Sequence, residues 1–338
     1  MIRFDDAAAF THALETLPEP DASAIEAATA RQAQLTKPAG SLGRLEEVAL
    51  FMAGWQRRER PCADCIRAAI FAGNHGVAAR GVSAFPPAVT AQMVENFRSG
   101  GAAINALAAA CGADLSIIPL DLDRPTADIC EAPAMTEAEC LHALNAGAAV
   151  VTPGTDLLFV GEMGIANTTP AAALCAQSFG GLASDWIGRG TGIDEAGLAR
   201  KADAVARALA LHGPHCASAF ETLRRLGGRE IAAMAGAILA ARHLSVPMLL
   251  DGFISCAAVA PLARDNPAIT GHCLASHASA EAGHARLLHA LELKPLLHLE
   301  MRLGEGSGAA VAVQIVRSAL AAHGGMATFA EAAVAGAL

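Results

Sequence analysis

The sequence predicts an α/β fold, with a mainly parallel sheet carrying helices on both faces. Three observations predict it. Short apolar runs ending in glycine or an acid alternate with longer segments of helical periodicity, as in successive strand–helix units. The residues are 53% hydrophobic but only 4% aromatic, tyrosine is absent, and alanine runs through most segments. Such an aliphatic, small-residue core suits closely packed helices and strands buried on both faces. The 338 residues are enough for two domains or one large α/β domain.

The elements follow in order. Residues 1–58 read as helical, with apolar positions at helical spacing over 21–34 and 42–55. Pro38 and the glycines of Lys37-Pro-Ala-Gly-Ser-Leu-Gly43 separate them, and Ser41 is placed to cap the second. From about residue 66 the pattern changes. Strands are expected at 68–72, 115–120, 157–160, 246–250 and, less regularly, 296–303. Interleaved helices are expected at 88–97, 102–111, 170–177, 197–211, 229–241 and 308–322. Ligands of such sheets bind beyond the carboxyl ends of the strands. The tips there read Gly73-Asn-His-Gly-Val77, Gly161-Glu-Met-Gly164, Asp251-Gly-Phe253 and Gly304-Glu-Gly-Ser-Gly308. Each alone could be a tight turn; their recurrence points to one shared edge.

Composition excludes several function classes. The apolar stretches 231–241 and 309–322 carry polar residues or fall short of the ~20 residues a membrane span needs. The opening MIRFDDAAAF puts two acids where a signal peptide has its apolar core, so a soluble cytoplasmic protein is expected. Net charge is −9 with no basic stripe, which argues against a nucleic-acid partner. Nine cysteines are scattered singly except for Cys62 and Cys65, and no second pair or nearby histidine pair completes a zinc site. They read as ordinary reduced cysteines. The twelve histidines show no metal spacing; His277 and His284 read as structural or substrate-facing. Neither a metal nor a cofactor is expected.

Two glycine-rich stretches carry the chemistry. In Arg302-Leu-Gly-Glu-Gly-Ser-Gly-Ala309 a glutamate flanked by glycines opens a helical run, beside N–H groups able to cradle an anion. The same pattern also serves as a helix start with an acid near the dipole. In Gly161-Glu-Met-Gly-Ile-Ala-Asn-Thr-Thr-Pro170, Glu162, Asn167 and Thr168 could bind a sugar and its phosphate, or simply cap the helix entered at Pro170. Neither stretch is a P-loop or a dinucleotide fingerprint.

Together with Lys37-Pro-Ala-Gly-Ser-Leu-Gly-Arg-Leu45, Gly73-Asn-His-Gly-Val77, Leu249-Leu-Asp-Gly-Phe253 and Ser276-His-Ala-Ser-Ala-Glu281, these stretches span about residues 37–309. In this set and order the chain resembles the nicotinate-nucleotide–dimethylbenzimidazole phosphoribosyltransferases, which build the lower nucleotide loop of cobalamin. The resemblance implies a Rossmann-like catalytic domain over 61–322, a smaller helical domain from 1–60 plus about 323–338, and a homodimer. It implies Glu305 as catalytic base, Glu162 as the acid near the ribose, and Lys201 as an active-site contact. Asp251 and Gly252 match a substrate-lining turn. Gly164, Asn167, Thr168, Ser276, Leu303, Gly306, Phe85, Gln92 and His75 complete the expected substrate surround. The chain departs from the family pattern at Asn74, where many members carry aspartate, and near Phe85, where some carry a small polar residue. Both departures touch the walls of the base pocket.

The chemistry implied needs one base. In nicotinate mononucleotide the ring nitrogen on the anomeric carbon is already cationic, so nicotinate leaves without a general acid. The incoming benzimidazole attacks through one nitrogen and must lose the proton on the other. A single carboxylate at ~3 Å supplies this, worth about 10²–10⁴ in rate. Attack opposite the leaving group gives an α-ribotide. Rival readings are another ribosyl-transferring or nucleoside-cleaving enzyme on a similar sheet, of which those using pyrophosphorylated ribose usually need Mg²⁺ and an acidic pair not seen here, and a non-catalytic base- or nucleotide-binding protein, which would have no need to retain Glu305.

Overall fold

The computed structural model describes residues 2–190 and 192–335. Five strands form one sheet: β1 (Ile66–Ala72), β2 (Ala113–Pro119), β3 (Leu157–Met163), β4 (Met248–Leu250) and β5 (Cys273–Ala275). Their spatial order is β2-β1-β3-β4-β5, and every neighbouring pair is parallel. This is the doubly wound order in which the chain reverses its direction of travel between β1 and β3, leaving a crevice beyond their carboxyl ends.

Alternation along the strands feeds two cores. Ala69, Phe71, Leu158, Val160 and Leu250 join one, while Ala68, Ile70, Leu157, Phe159 and Leu249 join the other. Helices Glu137–Ala149, Thr168–Phe179, Arg229–His243 and Phe253–Asp265 cover the first face; Arg44–Gln56, Ala103–Ala110 and Ser307–Gly325 cover the second. Apart from the edge strand β2, the strands are buried on both faces, which is why they read as continuous apolar runs.

The alanine-rich composition shows in how closely the helices approach. A side chain on Gly147 would overlap the main chain of Ala233, and one on Gly236 would overlap that of Leu144. Two helix backbones therefore touch there, which only small residues allow. Near the N-terminus, Phe4 packs edge-on to Phe10, whose ring lies 6.1 Å from that of Phe220 in the first core. Helix Ala22–Gln34 instead lies toward the C-terminal segment. Arg31 donates to the carbonyls of His323, Gly324 and Met326, and Leu35 bridges Thr328.

One strand expectation is corrected. Residues 296–303 do not form a strand; β5 is the short Cys273–Ala275. Leu296 and Leu297 do donate to the carbonyls of Ala275 and Ser276. Beyond them Glu300 turns to φ +55°, and Leu299 and Leu303 are exposed, so pairing stops after one bridge. Helix Phe253–Asp265 escapes the sequence pattern because it is buried on nearly every side and contains Pro261, so it lacks an amphipathic period. Among the described residues no helix is long and apolar enough to cross a membrane.

The backbone contact at Gly236 yields a stability test. Gly236→Val should destabilise the protein by about 1–3 kcal/mol through overpacking, read as a lower urea midpoint. An unchanged midpoint would mean that the two helices have slack to separate.

Candidate active site

The ends of β3 and β4, the segment before helix Ser307–Gly325 and the segment around Arg189 enclose a cavity of about 530 Å³. It lies beyond the carboxyl ends of the strands, where the sheet topology places a ligand.

Glu162 is the penultimate residue of β3, and the next turn returns Asn167 toward it. The Asn167 side-chain amide donates to the Glu162 carboxylate. Burial raises the Glu162 pKa to about 8, with Glu230, Asp251 and Glu305 adding like charge and Asn167 opposing. Helix Thr168–Phe179 begins immediately afterwards, with Asn167 and Thr168 at the cavity wall. Lys201 comes from helix Glu195–His212, whose start is capped by the Asp194 carboxylate accepting from the Gly197 N–H. The ammonium is buried and donates to Thr168 Oγ1 at 3.0 Å and to the Gly188 carbonyl at 2.9 Å. Burial lowers its pKa to about 8, against the pull of Glu281.

Asp251 follows β4 and is buried. Its carboxylate accepts from the N–H groups of Gly306 at 3.2 Å and Ala309 at 2.9 Å. Burial nevertheless raises its pKa to about 7. Glu305 sits in a run of three left-handed residues: Gly304 at φ +81°, Glu305 at +61° and Gly306 at +76°. Two glycines are required on steric grounds. A side chain on Gly304 would strike the Glu162 carboxylate, and one on Gly161 of β3 would strike the main chain at Glu305 and Gly306. Glu305 is 6% exposed, burial raises its pKa, and Oε2 has no hydrogen-bond partner among the described residues. An unpartnered buried carboxylate oxygen at a cavity wall is an acceptor held ready for a ligand donor.

Three comparisons bear on this arrangement. A family model described as phosphoribosyltransferase matches residues 17–334. The nicotinate-nucleotide–dimethylbenzimidazole phosphoribosyltransferase of Novosphingobium aromaticivorans is 66% identical over 99% of both chains. That of Mesorhizobium japonicum is 57% identical over 94% of this chain and 95% of its own. The crystal structure of the corresponding Thermus thermophilus enzyme superposes with a TM-score of 0.87 at 39% identity, covering 94% of this chain and all of that one. The chain belongs to this phosphoribosyltransferase family.

Most of the residues expected from the family resemblance meet at the cavity. Glu305, Glu162, Lys201, Gly164, Asn167, Thr168, Asp251, Gly252, Leu303 and Phe85 all line it, with Phe85 and Leu303 half exposed. Four others lie outside its wall. Ser276 is buried behind it, its hydroxyl donating to the Asp251 carbonyl at 2.9 Å. Gly306 belongs to the turn under Glu305 rather than to the lining. Gln92 is exposed on helix Ala88–Arg98. His75 is buried behind the Gly164 turn, Nε2 lying 2.6 Å from Glu230 Oε1.

The cavity also contains residues not anticipated. Arg189, Arg302, Ser255, Ser279 and Glu281 line it. For Arg189 the signal was available: it stands in a segment with glycines at 188, 190 and 192. His277 lines the cavity, whereas His284 is buried, accepting from the Ser279 N–H at 2.9 Å and lying 3.4 Å from Cys256 Sγ. Among the described residues one group has metal-like spacing: Cys62, Asp64 and Asp156. It is no part of the cavity wall, and Arg58 already pairs with Asp156 at 2.8 Å and donates to Cys62 Sγ. All nine cysteines are free.

The buried acid at Glu162 has a stability cost with a defined sign. Its folded pKa lies above its ordinary 4.5, so the folded state favours the protonated form and loses stability as pH rises from 4.5 through about 8. Glu162→Gln should therefore raise the melting temperature of the ligand-free protein at pH 8 and above. That gain should vanish near pH 4.5, as differential scanning calorimetry across this range would show.

Proposed function

We propose that this chain transfers the 5-phosphoribosyl group from nicotinate mononucleotide to 5,6-dimethylbenzimidazole or a related base. Nicotinate is released and α-ribazole 5′-phosphate forms with inversion, for the nucleotide loop of cobalamin. The observation that carries the mechanism is the unpartnered, buried carboxylate oxygen of Glu305 at the cavity wall.

The residues divide the task. Lys201 and the N-terminus of helix Thr168–Phe179, reached at Thr168, form a cationic corner for the 5′-phosphate. Two of the Lys201 ammonium hydrogens are engaged by Thr168 and Gly188, and a third can meet a phosphate oxygen. The acids Glu162, Asp251 and Glu305 also line the cavity, and the cationic ring of a pyridinium nucleotide would favour their ionised forms. Arrival of that cation favours ionised Glu162, which then stabilises the positive charge spreading onto the ribose as the bond to nicotinate breaks. Phe85 and Leu303 offer apolar surface at the mouth for the flat incoming base. As the base nitrogen attacks the anomeric carbon from the side opposite nicotinate, Glu305 takes the proton from its other nitrogen. The electron pair of the broken bond neutralises the pyridinium ring, so no acid is needed at the leaving group.

The same proposal includes a cytoplasmic homodimer acting on small molecules. Nine free cysteines suit a reducing compartment, and sedimentation would establish the dimer. Division into a helical unit (1–60 with 323–338, of which 1 and 336–338 lie outside the described residues) and a catalytic unit (61–322) is supported by the contacts of Arg31 and Leu35 with residues 323–328. Phe4 and Phe10, and Val48, Ala49 and Met52 of helix Arg44–Gln56, depart from that division by packing into the cores of the sheet.

Glu305→Gln should retain the fold and bind base, while kcat falls about 10²–10⁴-fold with modest change in KM. In the wild type, kcat/KM should fall as acid protonates Glu305, at a pH above the ordinary glutamate range because burial raises its pKa. The Gln variant should lack that limb, and Glu162→Gln should be slower but keep it. Near wild-type turnover by Glu305→Gln would place the base elsewhere.

Lys201→Ala should raise KM for nicotinate mononucleotide far more than KM for the base. Equal effects on both substrates would make Lys201 a folding residue instead.

A further inference from the structure

In the proposed mechanism Asp251 has no reacting atom of its own, yet it is 2% exposed and among the described residues its only ion-pair neighbour is His277 at 3.8 Å. A buried carboxylate without a close cation needs another source of compensation. Here the compensation is main-chain N–H. Asp251 Oδ2 accepts from Gly306 and Oδ1 from Ala309, at the N-cap and first turn of helix Ser307–Gly325.

That helix cannot cap itself. Its N-cap position is left-handed at φ +76°, which selects glycine, and glycine has no side chain to cap with. The acid at the tip of the adjacent strand takes the place of the missing cap. It also fastens the far end of the turn holding Glu305, a non-glycine residue at φ +61° that persists only where its surroundings hold it. Ser276 anchors Asp251 in turn, its hydroxyl donating to the Asp251 carbonyl at 2.9 Å.

We propose that Asp251 is a positioning residue for Glu305: by binding the Gly306 and Ala309 N–H groups, its carboxylate holds the 304–306 turn so that the Glu305 carboxylate faces the cavity. The proposal rests on the reading of Glu305 as base, and a double-mutant cycle separates the two. Asp251→Asn keeps one acceptor oxygen but turns an NH₂ toward one of the two N–H groups. It should lower kcat about 10²-fold by misplacing the base, with KM for both substrates little changed. In a Glu305→Gln background the same change should cost less than about threefold, because the group it positions is already disabled. A wild-type rate for Asp251→Asn, or an undiminished loss in the Glu305→Gln background, would overturn the assignment. Near wild-type turnover by Glu305→Gln alone would instead overturn the base reading. Circular dichroism checks that each variant is folded. Should Asp251→Asn not fold, Ser276→Ala enters the same cycle: a smaller loss that disappears with Glu305→Gln supports the assignment, and a loss that persists refutes it.

Discussion

Three carboxyl groups, Glu162, Asp251 and Glu305, are buried around one cavity; an amide N–H compensates the first and main-chain N–H groups the second, while one oxygen of Glu305 is left without a partner among the described residues. Lys201, the buried ammonium nearby, is engaged by Thr168 and Gly188. Each acid is therefore held above its ordinary pKa by desolvation. The fold is arranged to tolerate this. A parallel sheet brings the strand ends and the helix starts to one edge, so fixed N–H dipoles surround the acids and no lysine or arginine has to neutralise them. A substrate that presents a cationic ring to these acids would relieve the same imbalance, which gives the free protein a reason to be less stable than it could be.

Much of this was legible in the sequence because it depends on local chemistry. The apolar runs leading to Gly73, Gly161 and Asp251 mark strands β1, β3 and β4 because buried parallel strands must be apolar, although β3 continues through Gly161 to Met163. The same reasoning fails where tertiary pairing overrides pattern. Cys273–Ala275 is too short to stand out, and the more apolar 296–303 looks like the better strand until Glu300 turns it away. Phe253–Asp265 hides for the opposite reason: surrounded by core, it has no polar face to reveal a period.

The site shows a similar boundary. Acids between glycines could be recognised, since glycine there is demanded by close approach. Whether a nearby polar residue faces ligand or supports it from behind could not. His75 and Ser276 sit within motifs of the family pattern, yet the first pairs with Glu230 and the second anchors Asp251. That distinction is decided by which way a short turn rotates, and neighbouring strands fix the rotation.

The contact of Gly161 with the turn at Glu305 and Gly306 is backbone against backbone. The spacing between the strand bearing Glu162 and the turn bearing Glu305 is therefore set by peptide geometry, with no side chain as a spacer. Phe85 and Leu303, at the open end, take no part in that contact. Mutational drift at the rim can then retune which flat ring is accepted while the reaction geometry is inherited unchanged. A lineage supplied with a different base would need to alter the mouth and could leave the floor alone.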